Sequence, residues 1–423
     1  MGNTRVVITG LGAVSSLGNT AADTWQGVME GRVGIGPLTR FDAEGHSTKV
    51  ASEVHDFDTS EYLDRKESKR MDPFTQYAAV AALSAVQDAG LGEGSYEPER
   101  AGVMLGVGLG GIQTLEEMSD KLFRKHTTSV PPLSVPKFMG NSPAGQISMK
   151  LGLLGPAFVV ASACTSATDA IGRALRTIRS GMCDVMIAGG SEGLISPIVF
   201  AGFGNLQACS TNYNNQPEKA SRPFDRDRDG FVIGEGAGVL ILESEEHARA
   251  RGARIYAELA GYGATCDAYH LTATHPEGRG AKAAMRMALA AGELAADEVD
   301  YVNAHGTSTP LNDPTETAAI KEVFGEHAYQ LKVSSSKSMI GHLLGGSGGV
   351  EGVITALAVH HQVFPPTANL ENPDPECDLD YVPIKAQPGE IGAAISNSFG
   401  FGGHNGVVAF KRWENGAAAE AAA

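Results

Sequence analysis

Short apolar runs rich in Val and Ile punctuate this chain, separated by Ala-rich stretches whose apolar positions recur every three and four residues. RVVITG, AGVMLGVG, FVVASA, DVMIAGG, GVLILE, VDYVNA, KVSSS, AAISNS and GVVAFK read as strands. Residues 74–90, 165–180, 281–292, 314–323 and 349–361 read as helices. In the second of these, Ala167, Ile171, Ala174, Leu175 and Ile178 fall on one face. Strands alternating with helices predict an α/β layered architecture.

The pattern also repeats. IYAELAGYGAT echoes RVVITGLGAVS, a strand with a Gly-rich exit. LKVSSSKSMIGHLLGGSGGVEGVITAL echoes FVVASACTSATDAIGRAL, a strand, a small-residue turn and a long helix, and AAISNSFGFGGHNGVVAF echoes GFVIGEGAGVLILE. Two similar halves are therefore expected, residues 1–255 and 256–412. The Ala-rich end of the chain, 413–423, is expected to be disordered. Such a duplication would set the helix after FVVASAC against the Lys/His segment of the other half and place a site between them.

Composition narrows the class. The chain has 423 residues, 42% of them hydrophobic, so a large core is available, and its 53 glycines suit close helix–sheet packing. With 33 basic and 49 acidic residues its net charge is −16, which disfavours nucleic acid or an anionic membrane as partner. The five cysteines form no C-x-x-C pair, which predicts a reducing compartment without structural zinc. No signal-peptide pattern precedes the first strand, and no apolar run approaches the ~18 residues of a membrane span, so a cytoplasmic protein is expected.

Several motifs weigh little. GVGLGG matches G-x-G-x-x-G but lacks the acidic residue about 20 positions on. GGSEG at 189–193 matches a hydrolase elbow, yet GGSGG matches equally in a Gly-rich chain. DRDRDG starts like a calcium loop but carries Gly236 where a Glu is required, so a salt-bridged turn is expected. His360–His361 is expected to be solvated, and no metal-binding pattern is present.

Chemistry concentrates in three segments. Cys164 follows an apolar strand and precedes a helix, where exposed N–H groups would favour a thiolate. His305 lies in YVNAHGTSTPLND, and Lys337 and His342 lie in VSSSKSMIGHLLGG. A cysteine with two separately supplied histidines suits thioester formation plus a step needing two neutral imidazole donors. Lys337 is expected to stay charged through Glu351. In an otherwise acidic chain, Arg65, Lys66, Lys69 and Arg70 recur at helical spacing as one basic face, and KLFRKH adds Arg124 and Lys125.

On these segments, with ASRPFDRDRDGFVIGEGAGVLILE and NSFGFGGHNG, the chain resembles the β-ketoacyl-acyl carrier protein synthases, in particular type II (KAS II), over residues 4–412. The resemblance implies a thiolase-like fold of two α/β halves in five layers (αβαβα), usually a homodimer. It implies that Cys164 accepts the acyl group, that His305 and His342 bind the malonyl carbonyl and promote decarboxylation, and that Lys337 gives electrostatic support through Glu351. It further implies an oxyanion hole from the backbone N–H groups of Cys164 and Phe401. Phe401 would be the gatekeeper, Phe203 and Leu109 would line the acyl pocket, and DAYHLT (267–272) would be a second loop that opens with the gate. The implied activity is 3-oxoacyl-ACP synthase, elongating fatty acids by two carbons. Substrates ride on the phosphopantetheine arm of acyl carrier protein, docked at the basic patches, with no other cofactor and no metal. Cys164-Thr165-Ser166 with a following Asp169 departs from the A-C-A-T-G of many such enzymes and also resembles ketosynthase subunits of type II polyketide systems, the alternative. A degradative thiolase is disfavoured, because GFGGHNG lacks that family's second cysteine.

Overall fold

The computed structural model describes residues 4–414. Its first half contributes strands β1 (Val6–Val14), β2 (Ala101–Gly106), β3 (Ala157–Val160), β4 (Val185–Glu192) and β5 (Gly236–Ser244), standing in the order β3-β2-β4-β5-β1. The second half contributes β6 (Ala257–Cys266), β7 (Tyr301–Asn303), β8 (Lys332–Ser334), β9 (Ala393–Gly400) and β10 (His404–Arg412), in the order β8-β7-β9-β10-β6. In each half three neighbouring strands pair in parallel and the last two are added antiparallel. The halves join where β1 meets β6, with Val7 opposite Glu258 and Ile8 opposite Ala257. All nine expected strands are present, as is the strand in IYAELAGYGAT.

Six helices cover the strands: α1 (Pro73–Asp88), α2 (Ser142–Leu151), α3 (Ser166–Arg179), α4 (Arg279–Ala291), α5 (Asn312–Phe324) and α6 (Ser347–His361). Five match the expected helices to within two residues at each end. The sixth, α2, was not foreseen, since Pro143 and Gly145 in its first turn read as loop.

Strand alternation explains the layering. Val239 and Ile241 of β5 pack with Ala81, Ala85 and Ile147 of α1 and α2, whereas Leu240 and Leu242 join Ile171, Leu175 and Val353 of α3 and α6. In the second half Val407 and Ala409 face Ala284, Ala288 and Ile320 of α4 and α5, whereas Val408 and Phe410 turn inward to the same central cluster as α3. Helices α3 and α6 are thus sandwiched between the two sheets, giving five layers, αβαβα. Helix α6 is buried from Ser347 through Val359, as a central helix must be.

The repeat has a packing cause. A Cβ on Gly10 would lie 2.2 Å from the Ala85 carbonyl oxygen, and one on Gly261 would lie 2.1 Å from that of Ala288. Each sheet therefore needs glycine at this point to let its outer helix approach. The echo between AAISNSFGFGGHNGVVAF and GFVIGEGAGVLILE is corrected in part. Only the second strands correspond, β10 with β5. The counterpart of β9 is β4, separated from β5 by residues 193–235, whereas a short turn joins β9 to β10.

Of the segment expected to be disordered, Trp413 is ordered between the guanidinium groups of Arg5 and Arg249, at 4.6 and 5.2 Å from its ring centre. Residues 415–423 lie outside the described residues.

Candidate active site

The first turns of α3 and α6 touch in the middle layer, where a Cβ on Gly348 would come within 2.1 Å of Thr168 Oγ1. This contact brings the turn before α3, which carries Cys164, to the segment before α6, which carries His342. His305 arrives from the end of β7 in the second half. Cys164, His305 and His342 line one mostly apolar cavity of about 360 Å³ together with Phe203, Phe231, Phe399 and Phe401.

Cys164 follows Ala163, a non-glycine residue at φ +53°. That left-handed conformation costs ~1–3 kcal/mol and marks a constrained turn. The Phe401 backbone N–H lies at the Cys164 sulfur and lowers its pKa. The expectation of a thiolate favoured by the helix end is overturned. Helix α3 begins only at Ser166, and Cys164 is buried, with 7% of its surface exposed. Burial pushes its thiol up to about 11, although the Lys337 charge and the Phe401 N–H pull it down.

The two imidazoles stand edge to face, 5.4 Å between ring centres. Burial, reinforced by the Lys337 charge, holds both well below the ordinary histidine range, and His342 adds to the effect on His305. Both rings are therefore neutral at pH 7. His342 Nδ1 bonds the Ser347 hydroxyl at 2.8 Å, which leaves its Nε2 as the other available nitrogen. The backbone at His305 is held by Glu316, which accepts both the His305 and Gly306 N–H at 2.8 Å, and Asn397 donates to the same carboxyl. Lys337 Nζ donates to Glu351 Oε1, both side chains 1% exposed. The expected pairing is present, and it lies wholly inside the protein. Ser347 and Glu316 were not singled out from sequence. Their only signal is a Ser five residues after one histidine and an acid eleven residues after the other.

The rings of Phe401 and Phe203 are 6.2 Å apart. Gly402 N–H donates to the Leu271 carbonyl at 2.6 Å, and Asp267 N–H to the Gly403 carbonyl at 2.8 Å, so the Phe401 turn and the 267–272 loop are tied together. Leu109, expected in the acyl pocket, does not line this cavity and is 47% exposed. The reason is Glu192, which accepts the Gly108 and Leu109 N–H groups and fixes the backbone, while Gly110 at φ +69° turns the chain away.

The weak motifs resolve accordingly. In GVGLGG the Gly108 and Leu109 N–H groups bond Glu192, and those of Val107 and Gly111 bond the Val160 and Phe138 carbonyls, so the segment offers no open phosphate cradle. Ser191 is sealed inside β4. In DRDRDG, Asp225 pairs with Arg222, and Arg228 reaches Asp374 and the Thr309 carbonyl, so the segment braces the loop after His305. His360 and His361 are exposed as expected, though His360 meets Tyr256 edge to face and His361 stacks on Trp25.

On the surface, Arg65, Lys66, Lys69 and Arg70 are all exposed, on a helix (Arg65–Lys69) capped by Asp64 and Glu67. Arg124 and Lys125 are exposed too, but both pair with Asp120, at 3.2 and 3.3 Å, so part of their charge is already neutralised.

The family model for the N-terminal domain of beta-ketoacyl synthases matches residues 3–248, and that for the C-terminal domain matches 256–371. The chain is 51% identical over 410 residues to a 3-oxoacyl-[acyl-carrier-protein] synthase 2 of Synechocystis, covering 97% of this chain and 98% of that protein. It is 48% identical over 412 residues to one of Staphylococcus aureus, covering 97% and 99%. A beta-ketoacyl synthase structure from Burkholderia phymatum superposes with a TM-score of 0.91 at 36% identity, covering 97% of this chain and all of that one. A type II polyketide ketosynthase in complex with its acyl-carrier protein superposes equally, TM-score 0.91 at 33% identity, over 97% of this chain and all of that one. Two family domains matched in order, and relatives alike along nearly their whole length, place this chain in the beta-ketoacyl synthase family.

Proposed function

We propose that this chain is a 3-oxoacyl-[acyl-carrier-protein] synthase, an acyltransferase that loads an acyl group on Cys164 and extends it by two carbons from a malonyl thioester. The observation that carries the reading is convergence: a cysteine, two neutral histidines and the Phe401 N–H, from both halves of the fold, meet in one apolar cavity.

In the first half-reaction Cys164 Sγ bonds to the acyl carbonyl carbon and the carrier's C–S bond breaks. The thiol proton ends on the departing carrier thiol. The negative charge on the carbonyl oxygen is held by the N–H groups of Cys164 and Phe401. A resting thiol near 11 means that deprotonation accompanies attack. In the second half-reaction the malonyl C–C bond breaks, CO₂ leaves, and the electron pair moves into the thioester as an enolate. His305 and His342, neutral, donate to that oxygen. The enolate carbon bonds to the acyl carbon, the Cys164 C–S bond breaks, and one proton restores the thiol. Lys337, paired with Glu351, adds to the burial that lowers both imidazoles and keeps them neutral donors. Phe401, resting on Phe203, would gate the acyl side, with the 267–272 loop moving alongside.

The substrates are carried on the phosphopantetheine arm of acyl carrier protein, and the chemistry needs no other cofactor and no metal. Arg65, Lys66, Lys69 and Arg70, without an ion pair among the described residues, supply the docking charge for that acidic carrier, with Arg124 and Lys125 secondary. The edge strand β3, with Phe158 60% exposed, suits pairing in a homodimer. The halves divide near residue 255. No helix among the described residues is long and apolar enough to cross a membrane; a cytoplasmic location is part of the proposal.

A second reading, a ketosynthase of a type II polyketide or polyene pathway, is favoured by the Cys164-Thr165-Ser166 run with Asp169. Intact-mass spectrometry after incubation with acyl-carrier proteins, then with malonyl-carrier, decides between them. A Cys164 adduct from linear acyl chains that clears with CO₂ release supports fatty-acid elongation. An adduct from unusual or polyunsaturated starters alone supports the second reading. No adduct at all overturns both.

A further inference from the structure

The Asp that follows the Cys164-Thr165-Ser166 run has a buried network of its own. Asp169, 7% exposed, lies in the first turn of α3 beneath Cys164. Its Oδ2 accepts the Ser162 hydroxyl at 2.5 Å and the Thr165 hydroxyl at 2.8 Å. Its Oδ1 accepts the Tyr262 hydroxyl, from β6 of the other half, at 2.7 Å. Ser162 and Thr165 bracket the strained Ala163–Cys164 pair. Ser166 completes the turn, accepting the Ser162 N–H at 2.9 Å and donating to the Ala163 carbonyl at 2.7 Å. The Gly406 backbone packs beside it, where a Cβ would lie 3.0 Å from Asp169 Oδ1. No ion pair to Asp169 is present among the described residues, so hydroxyl donors alone hold it in place.

We infer that Asp169 is the positioning residue of the nucleophile: it holds both shoulders of the Cys164 turn and anchors them to Tyr262 of the second half, which aims Sγ at the Phe401 N–H. This rests on Cys164 being the acyl acceptor. The network spans both halves, so a shift of one against the other would reach Cys164 directly. Three hydroxyl donors on one carboxylate also explain why Ser162, Thr165 and Asp169 occur together in this sequence.

The test is Asp169→Asn, which keeps the size but replaces one acceptor oxygen with a donor. Acylation of Cys164 by acyl-carrier protein and alkylation by iodoacetamide should each slow about tenfold or more, as a lost hydrogen bond to a charged group implies. Malonyl-carrier decarboxylation by the unacylated enzyme, which uses His305 and His342, should change less than about twofold. Tyr262→Phe, removing one of the three donors, should show the same split more weakly. If Asp169→Asn does not fold, Tyr262→Phe and Ser162→Ala decide by the same readouts. Acylation at the wild-type rate overturns the inference, as does an equal fall in both half-reactions with a lowered Tm, which would mark a structural role only. Absence of any adduct on wild-type Cys164 would instead defeat the proposed function.

Discussion

Removing the charge of Lys337 tests the electrostatics of the site most sharply. Lys337 and Glu351 are each 1% exposed and paired in the central layer. Lys337→Met keeps the volume of the stem but leaves Glu351 buried without its cation. Breaking a buried pair from one side costs about 3–5 kcal/mol. At ~2.1 cal/mol/K per residue for unfolding entropy, 423 residues give about 0.9 kcal/mol/K, so Tm should fall by about 3–6 °C. The sign with pH follows from Glu351. Burial already raises its carboxyl above the usual range and Lys337 is what opposes this, so the variant's folded value rises further. A group with a raised folded pKa contributes stability below its unfolded value, near 4.5, and that stability is lost as pH rises through the folded value. The deficit of Lys337→Met should therefore widen from pH 5 to pH 8. Adding Glu351→Gln removes the orphaned charge, and the double variant should recover at least half of the lost Tm. Differential scanning fluorimetry of wild type, both single variants and the double variant at pH 5, 6.5 and 8 measures this. An unchanged Tm for Lys337→Met, or a double variant worse than the sum of the singles, refutes the buried-pair reasoning.

Four further outcomes follow from the structure. His305→Ala and His342→Ala should each cut condensation about 10²–10³-fold, yet leave acyl transfer to Cys164 largely intact in single-turnover mass spectrometry; normal condensation in either would remove that residue from the mechanism. Since both imidazoles sit well below the ordinary range, malonyl decarboxylation should show no acid limb near pH 6.5, and a limb there would mean that at least one titrates as an exposed histidine does. With its thiol near 11, free Cys164 should be alkylated by iodoacetamide ever faster up to pH 9, and a plateau below pH 8 would contradict burial as the dominant effect. Charge reversal at Lys66 and Lys69 should raise KM for carrier-bound substrates at low salt and much less at 0.5 M, where the Debye length falls to roughly 4 Å; an unchanged KM would remove these residues from docking.

Much of this protein is written locally. Alternation at i, i+2 in runs such as GVLILE, and spacing at i, i+3, i+4 from Ala167 to Ile178, set strands and helices because each side chain's face depends only on its own backbone. The duplicated Gly-rich strands announced two halves, because Gly10 and Gly261 answer the same helix contact. Tertiary structure alone decided the rest. Cys164 looked like an activated thiol at a helix end, but the helix starts two residues later and desolvation by everything packed around the thiol lifts its pKa. Leu109 fell in a pocket-lining segment, yet Glu192, more than eighty residues away, turns it outward. Arg124 and Lys125 counted as free cations until Asp120 was seen between them. Asp169 was a family mark until Tyr262 crossed from the other half to meet it. Secondary structure follows from neighbours along the chain, whereas burial, charge pairing and pKa are sums over neighbours in space, which one sequence does not order.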